Sequence, residues 1–212
     1  ARLKNITKDT LGKSGIKEAL VYIQVTRGTA PRNHVSDEEM RPNLLVTVRN
    51  MPHIPPSLYT EGVKAITMPE FRWQIRNVKS ISLQASVLAK RRAERAGAAE
   101  AIFVLPDGTV TEGASSNIFI VKDGVLMTHP ADNRILAGVI RHFVLKVAGT
   151  LDVKSVVEPF NILDLVKAEE VFITGTVAEV VPVVNVDGKI IGGGRPGPLT
   201  ARIHKGFVSL IK

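Results

Sequence analysis

Gly108 to Arg141 reads GTVTEGASSNIFIVKDGVLMTHPADNRILAGVIR, and the order of its parts decides the fold. Asn117 to Lys122 is an apolar run of strand type, joined to a second, Val125 to Thr128, through Asp123-Gly124. That dipeptide is a hairpin signal, because a tight turn between twisted strands needs residues that accept positive φ. The stretch closes on Leu136-Ala137-Gly138-Val139-Ile140, which leads into a helical pattern over Val139 to Ala148. A glycine ahead of a helix leaves backbone N–H groups open at the positive end of the helix dipole, a usual means of holding an anion. One acid, Glu112, sits in the small-residue loop before the first strand.

Working outward, Thr7 to Leu20 predicts a short helix weakened by Gly12, Ser14 and Gly15. Leu20 to Thr26 and Asn43 to Val48 predict two strands that pair with each other, with turn-rich Arg27 to His34 and an exposed Asp37-Glu38-Glu39 between them. Met51 to Ser57 holds three prolines, which neither a helix nor a central strand tolerates. It predicts a linker between a part covering residues 1–54 and a part covering 55–212. Beyond it, Gly62 to Met68 predicts a strand, and Arg72 to Val78 leads to Lys79. Leu83 to Gly97 predicts a helix stopped by its glycine, Ala101 to Leu105 a strand, and Pro106-Asp107-Gly108 a turn. After the central stretch come strands at Val153 to Val157, Glu170 to Thr174, Val180 to Val186 and Lys189 to Ile191. Helices are predicted at Asn161 to Lys167 and Gly197 to Ile211. Strands and helices are mixed along the chain, so the class is α/β (α+β).

Composition narrows the function. At 212 residues with 44% apolar and 5% aromatic residues, the chain can bury real cores and suits a Val-, Ile- and Ala-rich α/β protein. The net charge of +8 invites a nucleic-acid reading. Its densest cluster, Lys90-Arg91-Arg92 with Arg95, is mixed with Ala and Glu94 on a predicted helix and lacks aromatics for stacking. A solvated helix face accounts for it, and no nucleic-acid partner is expected. No apolar run has the length of a membrane span, so no membrane partner is expected either. With no cysteine there is no disulfide, thiolate metal site or cysteine nucleophile, and a cytoplasmic location is the expectation.

Four places carry chemistry, each with a plain alternative. Lys79, in Val78-Lys79-Ser80, is a nucleophilic amine if desolvation lowers its pKa, and otherwise a surface lysine. Glu112 is either a carboxylate for a cationic partner or an exposed loop acid. The Gly138 turn is an anion cradle or an ordinary helix start. Arg32-x-His34, in VTRGTAPRNH (Val25–His34), is a carboxylate clamp or a polar hairpin tip.

The runs TEGASSNIF (Thr111–Phe119) and THPADNRILAGVIR (Thr128–Arg141) resemble the fold-type IV pyridoxal 5′-phosphate enzymes, the class IV aminotransferases. The resemblance extends from about Tyr22 to the C-terminus. It implies pyridoxal 5′-phosphate as cofactor, Lys79 as the lysine that holds it and then moves the proton, and Glu112 as partner of the ring nitrogen. Ser115 and Ser116 would donate hydrogen bonds near the cofactor, and Leu136 would pack on its ring. Gly138, Val139 and Ile140 would cradle the phosphate together with Thr176. Arg141, which follows, would serve structure. Arg32 and His34, with Val177, would bind substrate as in D-amino-acid transaminases, whose loop reaches the neighbouring subunit and so implies a homodimer. Ser82 departs from the asparagine common in the family. The family's His-x-x-Arg segment is not found near Ala1-Arg2, so the phosphate role is not carried onto Arg2, and the expectation is a truncated N-terminal lobe before a complete cofactor-binding lobe. The implied reaction moves an amino group from a D-amino acid such as D-alanine to 2-oxoglutarate or pyruvate, by way of pyridoxamine phosphate. Alternatives are a branched-chain or (R)-amine transaminase, an aminodeoxychorismate lyase, or a non-catalytic cofactor-binding remnant.

Overall fold

The computed structural model describes residues 2–35 and 39–211, so Asp37 and Glu38 lie outside the described residues, while Glu39 is exposed. The chain divides into two compact units, Ala1–His53 and Ile54–Lys212, and the break falls within the proline-dense stretch.

In the first unit, α1 (Arg2–Ser14) precedes β1 (Ala19–Thr26) and β2 (Asn43–Asn50), which pair antiparallel from Ala19↔Asn50 to Thr26↔Asn43. The helix lies earlier than the 7–20 predicted. Gly15, at φ +66°, ends it as a left-handed C-terminal residue, and the Ser14 hydroxyl then accepts from Ile16 N at 3.2 Å. The glycine read only as weakening the helix is its terminator.

The second unit opens with α2 (Ser57–Thr60), β3 (Val63–Pro69), α3 (Gln84–Arg95), β4 (Glu100–Val104), β5 (Thr109–Gly113), β6 (Asn117–Lys122), β7 (Val125–Thr128) and α4 (Val139–Thr150). It continues with β8 (Ser155–Val157), β9 (Phe160–Asn161), α5 (Ile162–Lys167), β10 (Glu170–Gly175), β11 (Glu179–Val186), β12 (Lys189–Ile190) and α6 (Pro198–Ile211). Its mixed sheet runs in the order β8-β7-β6-β10-β11-β3-β4-β5-β9, with β12 on β11. β5 and β6 stand far apart in that order, yet three residues join them and Gly113 N donates to Ser116 O at 2.7 Å. The sheet must therefore curl, and the curl brings β5, β6 and the start of α4 to one place.

Both faces of β6 and β10 are covered, which is why Ile118 to Val121 is apolar without a gap. Ile118, Ile120, Val171 and Ile173 face a core shared with β3, β4, β11 and α5. Phe119, Val121 and Phe172 alternate to the other face, under α4 and α6. The register partners Phe119 and Phe172 stack with ring centres 4.9 Å apart, which fixes the pairing of the two central strands. Asp123-Gly124 and Asp187-Gly188 form the tight turns expected of them, all four residues at positive φ. Glu112, read as lying in a small-residue loop, stands on strand β5, which β4 and β9 flank on its two sides.

Candidate active site

A cavity of about 880 Å³ opens where β5, β6, α3, α4 and the irregular segment after β3 converge. Lys79, Glu112, Ser115, Ser116, Leu136, Gly138, Val139, Ile140 and Thr176 all stand on its wall. Val177 does not; the wall ends at Thr176, and Val177 is half-buried in the turn beyond. Arg32 and His34 belong to the first unit, on the connection between β1 and β2, and both are exposed.

Glu112, at the end of β5, is 4% exposed. Its Oε2 accepts from Asn117 Nδ2 and from Leu136 N, each at 3.0 Å, and its Oε1 accepts from Arg72 Nη1 at 2.7 Å. Burial is the largest influence on this carboxyl and pushes it up to about 6, against the pull of the Arg72 charge and its hydrogen bonds. A carboxylate oxygen accepts two hydrogen bonds comfortably, so Oε2 is filled and Oε1 keeps one acceptor position. That geometry suits an N–H donor in the cavity.

Asn117 ties this acid to the helix. Besides Glu112, its Nδ2 donates to Leu136 O at 2.8 Å, and a Cβ placed on Gly138 would overlap its Oδ1. Gly138 has φ −67°, open to any residue, so the glycine is needed for space rather than conformation. The close approach expected at Gly138 exists, but it is made to Asn117. Past it, α4 begins without a side-chain cap and without an acid in its first turn, so the N–H groups of Val139 and Ile140 meet the cavity uncapped. Thr174, on the same wall, is 2% exposed, and its buried hydroxyl has no hydrogen-bond partner among the described residues. An uncapped helix start, an orphan hydroxyl and Thr176 beside it fit a phosphate; the free position on Glu112 fits a protonated ring nitrogen.

Two expectations are corrected. Lys79 is exposed, on a segment pinned by Arg76 N to Asn133 O at 2.9 Å, and so lacks the desolvation expected of its amine. The Ser115 and Ser116 hydroxyls both donate to Glu100 Oε2 at 2.9 Å, so they serve a buried acid of β4 rather than pointing free into the cavity. Arg141 is buried and donates through Nη2 to His129 O at 2.8 Å, a structural tie. Arg72, Asn117, Thr174 and Glu100 were missed. Asn117 could have been found, because an amide inside a run buried on both faces needs partners.

A family model described as amino-transferase class IV matches residues 1–186. The chain is 39% identical over 205 residues to a D-alanine aminotransferase of Bacillus licheniformis, covering 96% of this chain and 71% of that protein. It is 37% identical to a D-alanine aminotransferase of Staphylococcus haemolyticus, covering 99% and 74%. Its fold superposes with a TM-score of 0.85 and 28% identity on the branched-chain amino acid aminotransferase of Escherichia coli, covering 99% of this chain and 70% of that one. A curled mixed sheet closing on a cavity of this composition, matched over nearly its whole length, places the chain in the class IV amino-transferase family.

Proposed function

We propose that this chain holds pyridoxal 5′-phosphate in the cavity and transfers an amino group from a D-amino acid to a 2-oxo acid. The observation that carries the proposal is the convergence on one cavity of an amine, a buried carboxylate with a free acceptor position and an uncapped helix start. The two D-alanine aminotransferases named above match most of this sequence, which supports the D-amino-acid donor.

Bound there, the cofactor supplies an electron sink for the bond broken at the substrate α-carbon. Val139 and Ile140 N–H and the Thr174 and Thr176 hydroxyls would hold the phosphate. Glu112 Oε1 would accept the ring N–H, and as an anion it would favour the protonated ring. Leu136 would pack its apolar side chain on the ring. Lys79 Nζ would hold the cofactor and, once free, would move the proton at the substrate α-carbon. Arg32 and His34 are proposed to grip the substrate carboxylate, with Val177 beside it, the loop of one subunit serving its neighbour in a homodimer. A cytoplasmic location belongs to the same reading and is checked by cell fractionation.

The test is the absorption spectrum of the purified chain with pyridoxal 5′-phosphate, then with D-alanine and separately with L-alanine. A bound-cofactor band that needs Lys79 and converts with D-alanine alone is the expected result. Conversion with L-alanine alone would overturn the D-selective reading. A band that never converts would leave a binding protein without turnover.

A further inference from the structure

Behind Glu112 lies a charged cluster that the family motifs do not name. Glu70, whose side chain is fully buried, accepts from Arg72 three times: from Nε at 3.0 Å, from Nη2 at 2.7 Å and from the backbone N at 3.1 Å. The Thr111 hydroxyl adds a bond to Glu70 at 3.1 Å, and Arg76 Nε stands 3.1 Å from the same carboxylate. The Arg72 guanidinium also lies 4.2 Å above the Phe103 ring. Little freedom remains to it, and its Nη1 is aimed at Glu112 Oε1. Glu70 is held below the usual carboxylate value: burial alone would push it up, but the Arg72 hydrogen bonds and charge outweigh that, helped by Arg76.

The chemistry asks two things of Glu112, a negative charge despite burial and a fixed orientation. Asn117 and Leu136 N fix Oε2 but bring no charge. Glu70 and Arg72 are the charges that act on this carboxyl, and Arg76, Lys79, Lys90, Arg91 and Glu94 stand elsewhere on the cavity wall. Of these, Arg72 alone bonds to it among the described residues. We propose that Arg72 is the positioning residue of this site: clamped by Glu70 and Phe103, its guanidinium keeps Glu112 charged and turns the one remaining lone pair of Oε1 toward the cavity. Lysine could not replace it fully, because one ammonium cannot span two carboxylates as a planar fork does. The orientation toward a ring nitrogen rests on the cofactor proposal; the charge on Glu112 does not.

The experiment separates the two. In unliganded protein carrying ¹³C-carboxyl glutamate, the Glu112 signal is assigned by its loss in Glu112→Gln and followed through a pH titration. The expected midpoint is about 6 in the unsubstituted chain. In Arg72→Gln it rises by about one pH unit or more, and in Arg72→Lys by less. Should Arg72→Gln fail to fold by circular dichroism, Arg72→Lys decides. A midpoint unmoved in a folded variant overturns the proposal. In parallel, Trp73, the single tryptophan and part of the cavity wall, reports pyridoxal 5′-phosphate binding by fluorescence quenching. About tenfold weaker binding in Arg72→Gln is expected, as for a lost charged contact. A moved midpoint with no quenching in the unsubstituted chain would keep the hold of Arg72 on Glu112 and remove the cofactor reading. An unmoved midpoint with normal quenching would do the reverse.

Discussion

Helices α4 and α6 start alike and end up used differently. Each follows a glycine, and each packs on the Phe119–Phe172 face of the sheet. At α6 the chain fills its own helix start: Glu170 of β10 accepts from Leu199 N at 2.9 Å, Thr200 N at 2.7 Å and the Thr200 hydroxyl at 2.6 Å. Gly197 is what lets that carboxylate in, since a Cβ there would overlap it. At α4 no side chain among the described residues takes that place, and the positive end of the helix faces the cavity. The same physical device, N–H groups gathered at a dipole end, is a structural rivet in one helix and a ligand cradle in the other. A helix start becomes a site when the protein withholds its own anion.

The comparison can be broken at either helix. Glu170→Ala should cost the most, roughly 3 kcal/mol in a urea melt, because it leaves buried N–H groups and a hydroxyl unpaired. Trp73 quenching by pyridoxal 5′-phosphate should persist in the folded fraction, since Glu170 is remote from the cradle. Gly138→Ala should destabilise by about 2–3 kcal/mol through overlap with Asn117, and should weaken cofactor binding as well. A destabilised variant with unaltered affinity would show that Asn117 does not couple the acid to the helix.

Glu112 also gives the fold a pH dependence. Glu112 is raised in the folded protein from 4.5 to about 6, so folding favours its protonated form. The associated stability is present below pH 4.5 and is lost as pH rises through about 6. Glu112→Gln should therefore remove about 2 kcal/mol of pH dependence across that window, read from urea melts at a series of pH values. The smallest effect is expected from giving α4 what α6 already has. Val139→Asp, at an exposed first-turn position, should stabilise the unliganded chain by about 0.3–1 kcal/mol. The same variant should lose affinity for pyridoxal 5′-phosphate, since its carboxylate competes for the cradle.

The sequence made legible what local chemistry dictates. Strands β6 and β7 were readable to the residue because Asp-Gly accepts positive φ between two apolar runs. The short helix expected over Asn161 to Lys167 is α5, and the structure adds that Asn161 caps it by accepting from Leu163 N and Asp164 N. What depended on distant partners was not. β5 and β9 are short and carry few apolar side chains, so nothing within them announces the neighbours that pair with them. Arg72 looked like one cation among many, and its meaning comes from Glu112, forty residues away. Ser115 and Ser116 were assigned to the cofactor because Glu100, which takes their hydroxyls, sits on another strand. A hydrogen-bond donor is visible in sequence; its acceptor is visible only once the sheet has curled.

The single amide of Asn117 has a further consequence. It grips the acid proposed for one end of the ligand and fixes the turn before the helix proposed for the other. The two anchor points are thus pinned to one rigid strand and cannot drift apart independently. The site acts as a gauge of fixed length: a cofactor analogue with one extra methylene between ring and phosphate should satisfy either anchor but not both. Widening the specificity toward synthetic cofactors would then begin at Asn117, well before any residue that touches the reacting carbon.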